Sequence, residues 1–170
     1  MSAGFIVAAP SSNSGKTVLT LALLRALSRA GTRVASFKVG PDYIDPAYHA
    51  AASGRPCRNL DLWAMRPETF SAIARDTAVD ADLMIGEGVM GLFDGALDGS
   101  GATADVAALL GLPVVLVIDV KGQGASVGAL LRGFRDHRSD ITIAGVILNR
   151  VGSETHRTIL RKACEGLAPV

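Results

Sequence analysis

The chain has 170 residues with 49% hydrophobic side chains, 5% aromatic side chains and 19 glycines, which suits one compact α/β domain with a proper core and excludes a disordered chain. Lys plus Arg number 17 and Asp plus Glu 16, for a formal charge of +1; no overall field favours nucleic acid or an anionic membrane, so any anion must be held locally. No run reaches the roughly 18 apolar residues of a membrane span, and the opening MSAGFIVAAP has no basic leader region.

In chain order, GFIVAA is an apolar run of strand length, and the segment from Gly15 to Ala30 has helix length and strong helix formers. RVASFKV predicts a second strand leading into the turn-rich GPDYIDP, and AYHAAAS predicts a short helix closed by Gly54. RPETFSAIARDTA reads as a helix whose proline and glutamate suit its first turn. ADLMIGEG predicts a third strand ending on an acid between glycines, and VMGLFDGALDGSG is a loop longer than ordinary connections. ATADVAALLG then predicts a helix, PVVLVIDV a buried strand, and Val127, Leu130, Leu131 and Phe134 recur at helical spacing. ITIAGVILNRV and ETHRTILRKAC add one more strand and helix. Five strands alternating with helices, without repeats or linkers, predict one domain over residues 1–170. Its fold class is α/β, a P-loop NTPase-like, mainly parallel sheet with helices on both faces. Cys57, placed before a helix, and Cys164, late in one, match no C-x-x-C spacing. Neither a zinc site nor a disulfide framework is expected, and reduced thiols in a cytoplasmic protein are.

Ligands of such sheets gather at the carboxyl ends of the strands, and the polar clusters lie there: PSSNSGKT after the first strand, Lys38 and PDYID after the second, Glu87 after the third. AAPSSNSGKT closes like a phosphate-binding loop but has Pro10 where the first glycine usually stands. Proline there only ends the strand and turns the chain, and Asn13 can take the left-handed conformation often given to glycine. Across Ser12, Asn13, Ser14 and Gly15 the backbone amides would cradle phosphate; Lys16 would neutralise its charge and Thr17 ligate magnesium. Asp119 ends its strand where an acid either supports a metal through water or caps the next turn. His137 and His156 read as solvated helix residues, and Trp63 and Met65 as core.

The phrases APSSNSGKT, FKVGPDYIDPAYH, NLDLWAM, GEGVMGLFDG, GASVGALLRGF and GVILNRVGSETH, in this order and spacing, closely resemble the amino-terminal synthetase domain of the cobyrinic or hydrogenobyrinic acid a,c-diamide synthases, and the similarity runs almost end to end. The resemblance implies a cobalamin-pathway ligase in which ATP activates two acetate carboxylates of a corrinoid acid as acyl phosphates, which ammonia converts to amides. Asp42, Asp45 and Glu87 match the family's acidic positions, where with Thr17 they would hold Mg2+. For Asp42 and Asp45, turn formation and helix capping are the alternative. Lys38 would stabilise charge on the transferred phosphoryl group, and Tyr43 and His49 would line the corrinoid pocket. Asn149 sits where related proteins read the base; a guanine reader would need an acid at Gly152, so adenine is favoured. The resemblance also implies a following strand and a glutaminase domain that supplies ammonia, absent from this sequence, with neither cysteine able to replace its nucleophile. A homodimer stays open. Two rivals are a dethiobiotin synthetase-like ligase and a partitioning or metal-insertion ATPase switch; the switch usually carries an extra lysine where Ser11 and Ser12 stand.

Overall fold

A computed structural model describes residues 3–170. The elements are β1 (Ala3–Ala8), α1 (Lys16–Arg29), β2 (Val34–Val39), α2 (Asp45–Ser53), β3 (Cys57–Leu60), α3 (Pro67–Ala78), β4 (Leu83–Glu87), α4 (Thr103–Leu110), β5 (Val114–Asp119), α5 (Val127–Asp136), β6 (Ile143–Asn149) and α6 (Glu154–Cys164). The strands form one six-stranded sheet in the order β3-β2-β4-β1-β5-β6, every pair parallel. The sixth strand corrects the expectation of five. β3 carries only CRNL, too short and too polar to announce itself, and it forms because its backbone groups pair with β2 from Ser36 opposite Cys57 to Val39 opposite Leu60.

Apolar side chains on both faces of the strands divide the core. Val7, Val34, Ile85 and Val117 meet Leu24 of α1 and, through it, the α1 and α2 side. Ile6, Phe37, Met84, Leu116 and Ile118 meet Phe70, Val106, Leu131 and Leu160 of the other helices. This two-faced burial explains why β1 and β5 read as unbroken apolar runs rather than alternating ones. β2 is the exception: it is buried throughout yet includes Ser36 and Lys38. Register sets those two on the α1/α2 side, Lys38 opposite Glu87 of β4 and opposite Asn59 of β3. Two side chains of opposite charge thereby end adjacent strands side by side.

Trp63 and Met65 separate: Met65 packs on the core, but Trp63 is exposed, because the Asp61 carboxylate accepts from the Trp63 and Ala64 amides and turns the chain outward. Of the two histidines expected in solvent, His137 is exposed and His156 is half-buried. His156 Nε2 lies 2.6 Å from the Gln123 carbonyl and its Nδ1 accepts from Gly152 N–H, while the His137 ring lies 4.4 Å from Phe93. At the β6 edge, Val146 N–H donates to the Pro169 carbonyl at 2.8 Å. Among the described residues no helix is long and apolar enough to cross a membrane.

Gly86 permits the closest approach within the core, since a β-carbon there would overlap the Phe37 ring, which faces it in the β2–β4 register. Gly86→Ala is expected to cost about 1–3 kcal/mol of stability through overpacking, read as a lower urea midpoint. An unchanged midpoint would show that Phe37 is not wedged.

Candidate functional site

The loop after β1 folds as its residues dictate. Asn13 takes φ 63 and Gly15 φ 94, left-handed conformations that asparagine and glycine accept most readily. A β-carbon at Gly15 would overlap the Asn149 side-chain amide, which donates from Nδ2 to the Ser14 carbonyl at 2.9 Å. Asn149 thus braces the loop from β6, while Ser14 Oγ donates to the Ser11 carbonyl. Lys16 points back across the loop, donating to the Met90 carbonyl at 2.7 Å and the Ser11 carbonyl at 3.3 Å. Burial, then the nearby Lys38 charge, lowers its pKa below the ordinary lysine value.

Beside the loop lies a buried charge cluster built by four elements. Glu87 at the end of β4 is 0% exposed. Its Oε1 accepts from the Thr17 hydroxyl at 2.5 Å and from Lys38 Nζ at 2.8 Å; its Oε2 lies 2.7 Å from His49 Nε2. Burial works against the carboxylate, but His49 and Lys38 outweigh it and keep the Glu87 pKa below the ordinary range. Lys38 Nζ also donates to Asp45 Oδ2 at 2.6 Å and stands 3.9 Å from Asp42 Oδ2. Burial opposes its charge as well, yet Glu87 and Asp45 raise its pKa. A cleft of about 460 Å3 opens onto this cluster, walled by Ser12, Asn13, Gly15, Lys16, Thr17, Asp42 and Met90.

The two aspartates of the PDYID turn have separate tasks. Asp42 Oδ1 accepts the Ile44 and Asp45 amides at 2.8 Å, closing the turn that starts α2, and these bonds outweigh burial in lowering its pKa. Asp45, the first residue of α2, turns to Lys38 and lies 3.4 Å from Thr17 Oγ1. The hard oxygens of Thr17, Asp45 and Glu87 suit magnesium, which usually takes one or two protein ligands and fills its octahedron with water and phosphate. Among the described residues no group of three or more His, Cys, Asp or Glu could hold a metal ion.

Tyr43 is 93% exposed, outside the cluster. His49 differs from its expected place on a substrate pocket wall: it is 0% exposed, because its ring lies under the sheet end between Glu87 and Cys57, whose Sγ is 3.6 Å from Nδ1. Burial disfavours the charged ring, but its bonds to Cys57 and Glu87 push the pKa up to about 9. Asp119 serves its own turn, accepting from Lys121 N–H and pairing with Arg150 at 2.8 Å. Arg150 and Asn59 were not singled out by the sequence. Arg150 joins the cleft wall with φ 63, and Asn59 Nδ2 fastens the turn by donating to the Asp42 carbonyl. The asparagine in NLDLW opposite Lys38 was the available signal for the latter.

Removing Lys38 alone leaves Glu87 charged and buried. Lys38→Met is expected to cost about 3 kcal/mol in denaturant unfolding at neutral pH, and Lys38→Met combined with Glu87→Gln to recover a large part of it. A single variant as stable as wild type, or a double variant that merely sums the two losses, would contradict the pairing.

Comparison with known proteins places this geometry. The family model for the CobQ/CobB/MinD/ParA nucleotide binding domain matches residues 5–169. Hydrogenobyrinate a,c-diamide synthase of Brucella anthropi is 60% identical over 165 residues, which cover 96% of this chain and 38% of that protein. The enzyme of the same name from Rhizobium meliloti is 58% identical, with 97% and 38% covered, and that from Rhodobacter capsulatus 54%, with 96% and 38% covered. The chain therefore spans about 38% of the length of these curated relatives. Among solved structures, chloroplast FtsY from Physcomitrella patens superposes with a TM-score of 0.68 at 20% identity, covering 100% of this chain and 57% of that one, a likeness of fold. With the family model matching nearly the whole length, this chain belongs to the CobQ/CobB/MinD/ParA nucleotide binding domain family.

Proposed function

We propose that this chain is the ATP-binding synthetase part of a hydrogenobyrinate a,c-diamide synthase, activating the a and c acetate carboxylates of the corrinoid acid for amidation. The carrying observation is the 60% identity to an enzyme of that name across 96% of the chain. The buried Lys38–Glu87–Thr17 cluster beside a phosphate-type loop supports it.

A carboxylate does not react with ammonia until an oxygen has become a leaving group. In the proposed reaction a substrate carboxylate oxygen bonds to the γ-phosphorus of ATP and the bond to ADP breaks; ammonia then displaces phosphate from the acyl carbon. The amides of Ser12 to Gly15 hold the nucleotide phosphates, Asn149 keeps the loop in shape, and Lys16 moves from the Met90 carbonyl to the phosphate oxygens. Lys38, fixed by Glu87 and Asp45, offers positive charge to the phosphoryl group in transfer without having to reorganise. Magnesium on Thr17, Glu87 and Asp45 would supply charge neutralisation between the terminal phosphates. Asp42 shapes the turn that presents Asp45 and would add its negative charge beside the cation. Tyr43, exposed beside the turn, is the residue proposed to meet the corrinoid. We place the chain in the cytoplasm and assign ammonia supply to a glutaminase domain outside these residues; Cys164 is buried and Cys57 lies on a strand rather than a sharp turn.

The testing experiment is phosphate release from Mg–ATP by the purified chain, with ammonium and either hydrogenobyrinic acid or a diaminononanoate. Stimulation by the corrinoid acid alone is expected, and stimulation by the diamine alone would support the dethiobiotin synthetase-like reading instead. Glu87→Gln is expected to keep most nucleotide binding and to lose at least about 100-fold in magnesium-dependent turnover; near wild-type turnover would remove Glu87 from the mechanism. With Gly152 offering no acid to a guanine ring, ATP is expected to outcompete GTP, and equal GTP binding would refute that assignment.

A further inference from the structure

Of the two thiols, Cys164 is fully buried within the core, and burial alone raises its pKa above the ordinary thiol value. Cys57 is only partly buried. It starts β3, the outermost strand at one edge of the sheet. Its Sγ lies 3.6 Å from His49 Nδ1, and the opposite ring nitrogen of His49 lies 2.7 Å from Glu87 Oε2. The other oxygen of Glu87 takes Thr17 and Lys38. An accessible thiol, a fully buried imidazole and the buried carboxylate of the phosphate cleft thus form one continuous line. A second observation marks the outer end. Ser36 stands directly opposite Cys57 in the β2–β3 pairing, and its buried hydroxyl has no hydrogen-bond partner among the described residues, although such a group normally has one.

We propose that Cys57 is a thiol-modification site, open to small disulfides and thiosulfonates, and that its modification displaces His49 and thereby loosens Glu87. The effect on turnover rests on the nucleotide reading given above. The chemistry needs only the reagent. The Cys57 sulfur bonds to the sulfenyl sulfur of a thiosulfonate, the S–SO2 bond breaks, and the thiol proton leaves with the sulfinate; the thiol is oxidised to a disulfide as the thiosulfonate is reduced. The sulfur then carries an alkylthio group in place of its proton, 3.6 Å from Nδ1. On this proposal the added group presses on the His49 ring. His49 shares α2 with Asp45, so its movement reaches Asp45 as well as Glu87, the two acids closest to Lys38. His49 is on this account a positioning residue, acting through Glu87 rather than on the substrate.

The test treats the purified chain, labelled with 15N-histidine, with methyl methanethiosulfonate, chosen because its methylthio group is small. Mass spectrometry is expected to find the group on Cys57 and not on Cys164. The His49 ring-nitrogen resonances should move while those of His137 and His156 stay. With ammonium and hydrogenobyrinic acid present, Mg–ATP turnover should fall by about tenfold, on the scale for losing an outer support of a metal ligand, and dithiothreitol should restore both signals. Cys57→Ser should keep basal turnover and be indifferent to the reagent. A folded chain in which Cys57 does not react, or reacts without moving the His49 resonances, would overturn the proposal; so would moved resonances with unchanged turnover. If the untreated chain turns over no Mg–ATP, the nucleotide reading fails on its own and the histidine resonances still decide the relay.

Discussion

The ion pair between Lys38 and Glu87 governs the site, because two charges taken out of water at adjacent strand ends must satisfy each other or destabilise the fold. Attraction across 2.8 Å is strong in a poorly screened interior, but one ammonium cannot saturate a carboxylate. The remaining lone pairs therefore draw in Thr17 from the loop helix and His49 from α2, and the remaining ammonium protons draw in Asp45. Thr17 anchors α1, and His49 and Asp45 both anchor α2. The phosphate-type loop, the PDYID turn and the strand ends consequently hold a common geometry before any ligand arrives. The charges also come close to balance: Lys16, Lys38 and the raised His49 face Asp42, Asp45 and Glu87.

Backbone geometry makes the same centre possible. Parallel register sets Lys38 and Glu87 on one face, and only a glycine at position 86 lets Phe37 fill the opposite face directly beneath them. Around the cleft Asn13 takes the left-handed conformation that asparagine accepts readily; Met90 and Arg150 take it too, which side chains of their kind do only where surrounding contacts impose it. Met90 is fixed because its carbonyl takes the Lys16 ammonium. That bond ties the phosphate-type loop to the long segment between Glu87 and α4.

Much of this arrangement was legible in the sequence where the physics is local. Mainly apolar segments of strand length announced five strands, and SGKT announced its loop because glycine, lysine and threonine each have one chemical use there. β3 escaped because four residues without apolar periodicity become a strand only through a neighbour. His49 was recognisable as notable but not as buried, since its partners lie 38 residues away at Glu87 and 8 at Cys57. Turn chemistry could not divide labour between Asp42 and Asp45, because both suit a Pro- and Asp-rich turn; only the positions of Lys38 and Thr17 separate them. Asn149 drew notice as a base reader, whereas its bond to Ser14 spans 135 residues of sequence and depends on sheet order.

The central claim is that this cluster serves transfer of a phosphoryl group to a carboxylate, and the oxygen atom of that carboxylate can be followed. With hydrogenobyrinic acid labelled with 18O in its acetate carboxylates, ATP, magnesium and ammonium, the account predicts one labelled oxygen in each phosphate released with amide formation, because the carboxylate oxygen leaves on phosphorus. Amide formed with unlabelled phosphate would contradict it.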